Sequence, residues 1–150
     1  MSAPARTGPL ASVGYALHHA ALVWRLELET RLRPLQLTHT QFNALATANW
    51  LARSGTLPTQ QDIANFSGMD RMMTSKMIAV LKARGAIASV PDPTDARSNR
   101  IQVTEQGAAI VKEATRIARE VDAELFGTAA AAQELRETLA TVAAKRRPMP

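Results

Sequence analysis

The sequence predicts a mostly α-helical fold that carries one small β-hairpin, and three observations lead there. Hydrophobic residues make up 46% of the 150 positions, yet the aromatics are only two Trp, one Tyr and three Phe. Alanine and leucine supply most of the apolar content, and both are strong helix formers. Over most of the chain apolar residues recur in steps of three and four, the period of one helix face. Between residues 86 and 103 that period gives way to two short runs flanking a stretch dense in turn formers, which reads as a hairpin.

Taken in order, Met1 to Pro9 form a flexible lead with two prolines. A first helix begins at Leu10 and carries Val13, Leu17, Ala20, Trp24, Leu28 and Leu32 on one face. Glu27 and Arg31 lie one turn apart on its polar side, and Pro34 closes it by disfavouring helix at Arg33. Thr38 and Gln41 form a capping-box pattern that starts a second helix through Phe42, Leu45, Ala46, Asn49 and Trp50 to about Arg53, with Ser54-Gly55 as its stop. Thr59 caps a short third helix with Asp62 at its third position, turning Ile63, Ala64 and Phe66 inward.

Ser67-Gly68-Met69 makes a tight turn into a fourth helix capped by Asp70, whose apolar stripe is Thr74, Met77, Ile78 and Leu81. Gly85 stops it in the position glycine favours. Ala86–Val90 and Arg100–Val103 are the expected strands, joined by a polar, basic tip over Pro91–Asn99. Thr104 caps a long fifth helix with Ile110, Ala114, Ile117, Val121 and Leu125 on one face, broken at Gly127. A sixth helix, about 129–146, carries Leu135, Leu139 and Val142 and ends in Lys145-Arg146-Arg147, cations that suit a helix C-terminus.

Composition narrows the function. Eighteen Lys and Arg against 13 Asp and Glu give a net charge of +5 and a pI near 10.4, a balance that favours a polyanionic partner. The absence of cysteine excludes disulfides, thiolate metal sites and thiol redox sensing. Met1 to Pro9 lack the apolar run of a signal peptide and no stretch approaches a membrane span, so a soluble, cytoplasmic protein with no membrane partner is expected. His18 and His19 point about 100° apart on a helix and cannot chelate as an i, i+4 pair. Together with His39 they lack an acidic or cysteine cluster, and neither a metal site nor a cofactor is expected. No glycine-rich phosphate loop, nucleophile elbow or metalloprotease helix is present. Asp92 and Asp95 sit in a loop beside arginines, so no catalytic residues are assigned and the chain is not read as an enzyme.

Helix, turn, helix and hairpin between residues 59 and 103 follow the plan of a winged helix-turn-helix. Setting aside the apolar stripe of the fourth helix leaves Arg71, Met72, Ser75, Lys76, Ala79 and Lys82 outward. Its first turn would direct Arg71, Met72, Ser75 and Lys76 at the major groove of double-stranded DNA. Thr59, Gln60 and Gln61 stand at the start of the third helix, where exposed amides attract a phosphate. The hairpin tip adds Arg97 and Arg100 with Ser98 and Asn99 between them, a slender basic loop suited to the minor groove or its phosphates. Asp95 is expected to hold that loop by a local ion pair with Arg97. Trp24 and Trp50 read first as core residues, although a pocket of His18, Trp24, His39 and Trp50 would suit an aromatic anion.

Several short motifs occur in a telling order: Leu37-Thr38 with Gln41-Phe42 and Leu45; Asp62-Ile63-Ala64; Thr74-Ser75-Lys76 with Leu81 and Gly85; Asp92-Pro93 with Asp95 and Arg97; and Val103-Thr104 with Gly107. At these spacings the chain, over about residues 10–145, resembles the MarR-type (multiple antibiotic resistance) regulators. The resemblance implies one domain spanning 1–150, with dimerisation helices at 10–34 and 104–146 and a winged helix-turn-helix lobe at 38–103. It implies a homodimer that places two recognition helices on a palindromic operator, with half-sites ~34 Å apart. It also implies a transcription regulator, read here as a repressor, released by small and often aromatic or phenolic anions bound between the dimer helices and the DNA-binding lobe. Two departures stand out. Ser89 and Val90 occupy the region where the family usually has an arginine before the wing, and Met72, Met73 and Val80 make the recognition helix less polar than many. Those methionines and that valine keep open an alternative, a winged-helix dimerisation or protein-docking module without operator binding.

Overall fold

Side-chain caps decide where the helices begin. Ser12, Thr38, Thr59, Asp70, Thr104 and Thr128 each sit in extended backbone and accept an N–H from the third residue onward, which satisfies donors that a helix start leaves unpaired. The computed structural model describes residues 8–145. Most of the N-terminal lead, residues 1–7, and the terminal cations Arg146 and Arg147 lie outside them. The capped helices are α1 (Val13–Leu32), α2 (His39–Leu51), α3 (Gln60–Ser67), α4 (Arg71–Ala83), α5 (Glu105–Phe126) and α6 (Ala129–Ala144), and strands β1 (Ile87–Pro91) and β2 (Asn99–Val103) fall between α4 and α5. Thr38 with Gln41, and Thr59 with Asp62, form full reciprocal capping boxes.

Helix ends follow local chemistry as closely. Pro34 turns the chain after Leu32 into a 3-10 segment, Arg33–Leu35, that closes on Gln36 at φ 52°. The Arg84 guanidinium stabilises that left-handed corner by donating to the Gln36 carbonyl at 2.6 Å and to the Leu35 carbonyl. Helix α2 stops at Leu51 rather than near Arg53, because Ala52–Ser54 tighten into a 3-10 turn that ends on Gly55 at φ 88°.

The core forms where α5 lies against α1 and α2. Leu28 and Leu32 of α1, Ala44, Leu45 and Ala48 of α2, and Val111, Ala114, Ile117 and Val121 of α5 are buried together with Ile63, Ile87 and Ile101. All of Thr74, Met77, Ile78 and Leu81 are buried, as their spacing predicts. The Thr74 hydroxyl donates to the Asp70 carbonyl at 2.8 Å, so its burial leaves no polar atom unpaired. Phe66 departs from expectation and is 53% exposed. On a helical wheel it lies about 110° from the Ile63–Ala64 direction, too far round to reach the core. Much of α1 is open as well: Val13 is 84% exposed, and Leu17, Leu22, Val23 and Leu26 are also exposed.

The hairpin pairs in antiparallel register from Ile87 opposite Val103 to Pro91 opposite Asn99. Its inner end is seated on α5. The Thr104 hydroxyl donates to the Gly85 carbonyl at 2.6 Å and its N–H donates to the Ala86 carbonyl at 3.0 Å. A Cβ at Gly107 would lie 1.9 Å from the same Ala86 oxygen, so glycine alone permits this approach.

At the outer end the buried Asp92 carboxylate accepts the Thr94 N–H at 2.9 Å, the Thr94 hydroxyl at 2.8 Å and Arg100 Nε at 2.9 Å. Arg100 reaches on to the Leu57 carbonyl at 2.7 Å, and the Ile101 N–H donates to the Pro58 carbonyl at 2.8 Å. The hairpin is thereby clasped to the segment that leads into α3. The Thr94 hydrogen bonds first, and then the Arg100 guanidinium, hold the Asp92 carboxyl below the usual carboxylate range. Asp95 does not form the expected ion pair with Arg97. Its carboxylate accepts the Arg97 backbone N–H at 2.9 Å and its carbonyl accepts the Ser98 N–H at 3.0 Å, since a short Asp side chain reaches an amide two residues on more readily than a guanidinium.

Two outcomes are expected. Gly107→Ala must displace backbone, costing about 3 kcal/mol, which corresponds to a thermal midpoint about 10 °C lower at fixed protein concentration; an unchanged midpoint would contradict the close approach. Because the Asp92 pKa is depressed on folding, the clasp is complete above the ordinary carboxylate range and is lost as pH falls through the lower folded value. Hydrogen-exchange protection of the Ser98 and Ile101 amides, corrected for intrinsic rates, should therefore hold from about pH 8 to 5 and fall only below about 4. Asp92→Asn should lower that protection roughly tenfold at neutral pH.

Candidate nucleic-acid interface

Helices α3 and α4 are joined through Gly68 at φ 74°, a left-handed turn that sets the two helices as a bihelical unit. The wing folds back beside them, and a groove of about 460 Å³ opens between the three elements. Thr59, Gln60 and Gln61 from the start of α3, Arg71 from the first turn of α4, and Arg97 and Asn99 from the wing all line it. Most of the predicted DNA-binding set, drawn from segments up to forty residues apart, is thus gathered into one concave face. Ser89 and Ser98 also line this groove; the former stands in the stretch that departs from the MarR-type pattern.

Met72, Ser75 and Lys76 lie on the exposed side of α4 next to the groove. Relative to the buried stripe, Met72, Lys76 and Ala79 point most nearly straight outward, with Arg71 and Ser75 on one flank and Met73 and Val80 on the other. Among the described residues, the Arg71, Lys76 and Arg97 side chains make no ion pair, whereas Arg25, Arg31 and Arg116 are all engaged by carboxylates on the long helices. Arg100 is placed differently from the expectation of a free wing cation. Its guanidinium is committed to Asp92 and the Leu57 carbonyl at the outer end of the strand ladder. The Thr59 hydroxyl is likewise committed to the capping box with Asp62, and the Gln61 amide leans along α3 to Asn65 at 2.8 Å.

The residues considered for an effector pocket are only partly brought together. Trp24 and His39 meet edge to face at 5.1 Å, and Trp24 Nε1 donates to Asp122 at 2.8 Å, which joins α1, α2 and α5. Burial, then the nearby Arg25, hold the His39 imidazole below its ordinary pKa. His18 lies on the exposed half of α1 against His19, with ring centroids 5.6 Å apart. Trp50 is eleven residues beyond His39 on and about 16 Å along α2. It is 55% exposed with the Arg53 guanidinium 5.0 Å from its ring, so it is not a core residue. A cleft that the sequence reading missed, of about 880 Å³, lies between the end of α2 and α5; Arg53, Lys112, Arg116 and Arg119 line it together with Glu113 and Glu120, which pair with Arg116. The signal for it was the cation spacing 112, 116 and 119, which marks one helical face. Among the described residues, no group of His, Asp and Glu is arranged to hold a metal ion, and no helix is long and apolar enough to cross a membrane.

This architecture matches known proteins along nearly its whole length. The crystal structure of CouR from Rhodococcus jostii RHA1 bound to p-coumaroyl-CoA superposes with a TM-score of 0.81 at 21% identity, covering 97% of this chain and 99% of that one. A mutant MarR from E. coli complexed with operator DNA superposes with a TM-score of 0.74 at 24% identity, covering 87% and 92%. These establish the winged-helix fold. In sequence, the family model described as MarR family matches residues 37–98. The uncharacterized HTH-type transcriptional regulator YdcH of Bacillus subtilis (strain 168) is 31% identical over 123 residues, which span 82% of this chain and 84% of that protein. With the helix-turn-helix, the wing and the long flanking helices all in place, this chain belongs to the MarR family of transcriptional regulators.

Proposed function

We propose that this chain is a dimeric, sequence-specific reader of double-stranded DNA that leaves its operator when a small anionic effector binds. It acts by binding rather than catalysis, and in the cytoplasm. The observation that carries the reading is the groove in which Arg71, Arg97, Asn99 and the start of α3 converge beside the exposed face of α4. On a palindromic operator, α4 lies in the major groove with Arg71, Ser75 and Lys76 toward bases and phosphates, and Arg97 enters the minor groove or its phosphates. Gln60 and Gln61 meet a phosphate at the start of α3. Arg100 positions the wing rather than contacting DNA.

The assignment of α1, α5 and α6 to dimerisation is supported by their uncovered apolar side chains, among them Val13, Leu17, Leu22, Leu125, Leu135, Leu139 and Val142. An exposed set of this extent on terminal helices is covered most simply by a second copy. The two similar proteins crystallised with operator DNA and with p-coumaroyl-CoA support DNA binding and effector response. An anionic effector would find unpaired Arg53, Lys112 and Arg119 in the cleft between α2 and α5. One observation favours a docking module without operator binding: Met72, at the centre of the presented face, is apolar and 84% exposed.

Titration of the purified chain against its own upstream intergenic DNA, with scrambled duplex as control and at several salt concentrations, separates the readings. The expected result is binding at least ~10³-fold tighter to its own region. Equal, weak binding to both duplexes, or none at low salt, would favour the docking module. Arg97→Ala should weaken binding to all duplexes and reduce the salt slope by about one; an unchanged affinity and slope would remove Arg97 from the interface.

A further inference from the structure

We infer that Met72 is a specificity-determining residue that recognises a thymine through its C5-methyl group in each operator half-site. The inference rests on the DNA-reading function proposed above and says which base chemistry that surface selects.

The argument begins with placement. Measured round α4 from the buried stripe of Thr74, Met77, Ile78 and Leu81, Met72 lies about 170° away, on the line that a recognition helix pushes deepest into the major groove. It sits in the first turn, directly after the Asp70 cap and one turn before Lys76. Its side chain is 84% exposed, so nothing in the chain covers it. The uncovered apolar residues of α1 and α6 belong to long terminal helices, whereas Met72 stands between Arg71 and Lys76 beside the cationic groove, with the less exposed Met73 and Val80 on the next flank of α4.

Chemistry then restricts the partner. A methionine side chain has no hydrogen-bond donor and only a weak sulfur acceptor, so it cannot read the donor and acceptor edges that distinguish most base positions. One apolar group protrudes into the major groove, the thymine methyl. A long, unbranched, polarizable thioether can follow that methyl over a range of depths. Arg71 on one flank and Lys76 one turn later hold the backbone on either side, so the contact is enclosed by phosphate-binding groups and sheltered from water. Ala79, on the same outward line, adds no polar group that would compete.

The test replaces thymine by uracil, which removes that methyl and leaves the base pair intact. Full-length protein selects its preferred duplex from a random-core library, and each thymine of the selected site is then exchanged for uracil in turn. Wild-type affinity is expected to fall roughly fourfold per half-site at one symmetric thymine position, the effect of exposing one methyl-sized group. Met72→Ala should bind the thymine and uracil duplexes equally, while Met72→Leu should keep the difference. Both substitutions are at an exposed position and favour helix, so folding is preserved. A wild-type affinity indifferent to uracil at every position, or a Met72→Ala variant that keeps the full difference, overturns the inference and leaves the DNA-reading function standing. If no duplex is enriched, the DNA-reading function itself falls, and this inference with it.

Discussion

The ion pair between Asp92 and Arg100 is the constraint on which the geometry of the DNA-facing surface depends. Burying two opposite charges is costly unless their remaining hydrogen-bonding positions are filled, and here they are. The carboxylate takes two hydrogen bonds from Thr94 as well as one from Arg100, and the guanidinium spends a second nitrogen on the Leu57 carbonyl. The planar guanidinium spreads its donors over separate nitrogens and so reaches acceptors on two chain segments at once, whereas a lysine would gather its three donors at one point. The neighbouring Ile101 to Pro58 hydrogen bond, at 2.8 Å, extends the same junction along the backbone. The wing and the approach to α3 are therefore tied together at this junction, which sets the side of the groove from which Arg97 faces Arg71.

That rigidity continues into the long helices. Gly107 lets the first turn of α5 rest against the Ala86 carbonyl, so the hairpin is gripped at its inner end by α5 and at its outer end by Arg100. Helix α5 then runs back to α1, where Trp24 bonds Asp122 and Arg31 pairs with Glu124. The α1–α5 pair is therefore joined to the wing through packed backbone instead of a flexible linker. His39 lies at this junction, its ring against Trp24 and its backbone N–H donating to the Glu29 carboxylate at 3.4 Å. Coupling between a ligand and the DNA-facing groove requires two arrangements of such a junction and a ligand that prefers one of them.

Much of this was legible from the residues because the deciding interactions are local. A cap needs a hydroxyl or carboxylate three residues from an amide, and Thr38, Thr59, Asp70 and Thr104 declare themselves by that spacing alone. The inward stripe of α4 and the two strands are equally local, being set by periods of 3.6 and 2. What remained hidden depends on residues distant in sequence. Arg100 looks like a free wing cation until its fold-mate Leu57, 43 residues away, is seen to accept its hydrogen bond. Phe66 looks inward on a short helix whose exact rotation only packing decides. Trp50 reads as core by residue type, and it is exposed because packing turns Ala44, Leu45, Thr47 and Ala48 inward, which leaves Trp50 about 140° round α2 from the buried face. The candidate interface was thus foreseen as a set of residues, while the division of labour within it was not.

That division separates affinity from selectivity in space. Long-range attraction to DNA comes from cations that reach phosphates, and it is largely indifferent to sequence. Arg71 on the flank of α4 and Arg97 on the wing lie on opposite sides of the groove, where the two strands' phosphates would pass. With attraction supplied from the margins and from Lys76, the outward line of α4 need not be wholly cationic, and in the proposed reading Met72 and Ala79 flank Lys76 where a purely electrostatic surface would place further lysines. On that reading, the apolar Met72, Met73 and Val80 of α4 are no sign of weakened DNA binding. In that proposal the apolar centre would discriminate by fit and by the penalty of burying unmatched polar base edges, and the cationic border would keep the helix on the duplex while that comparison is made.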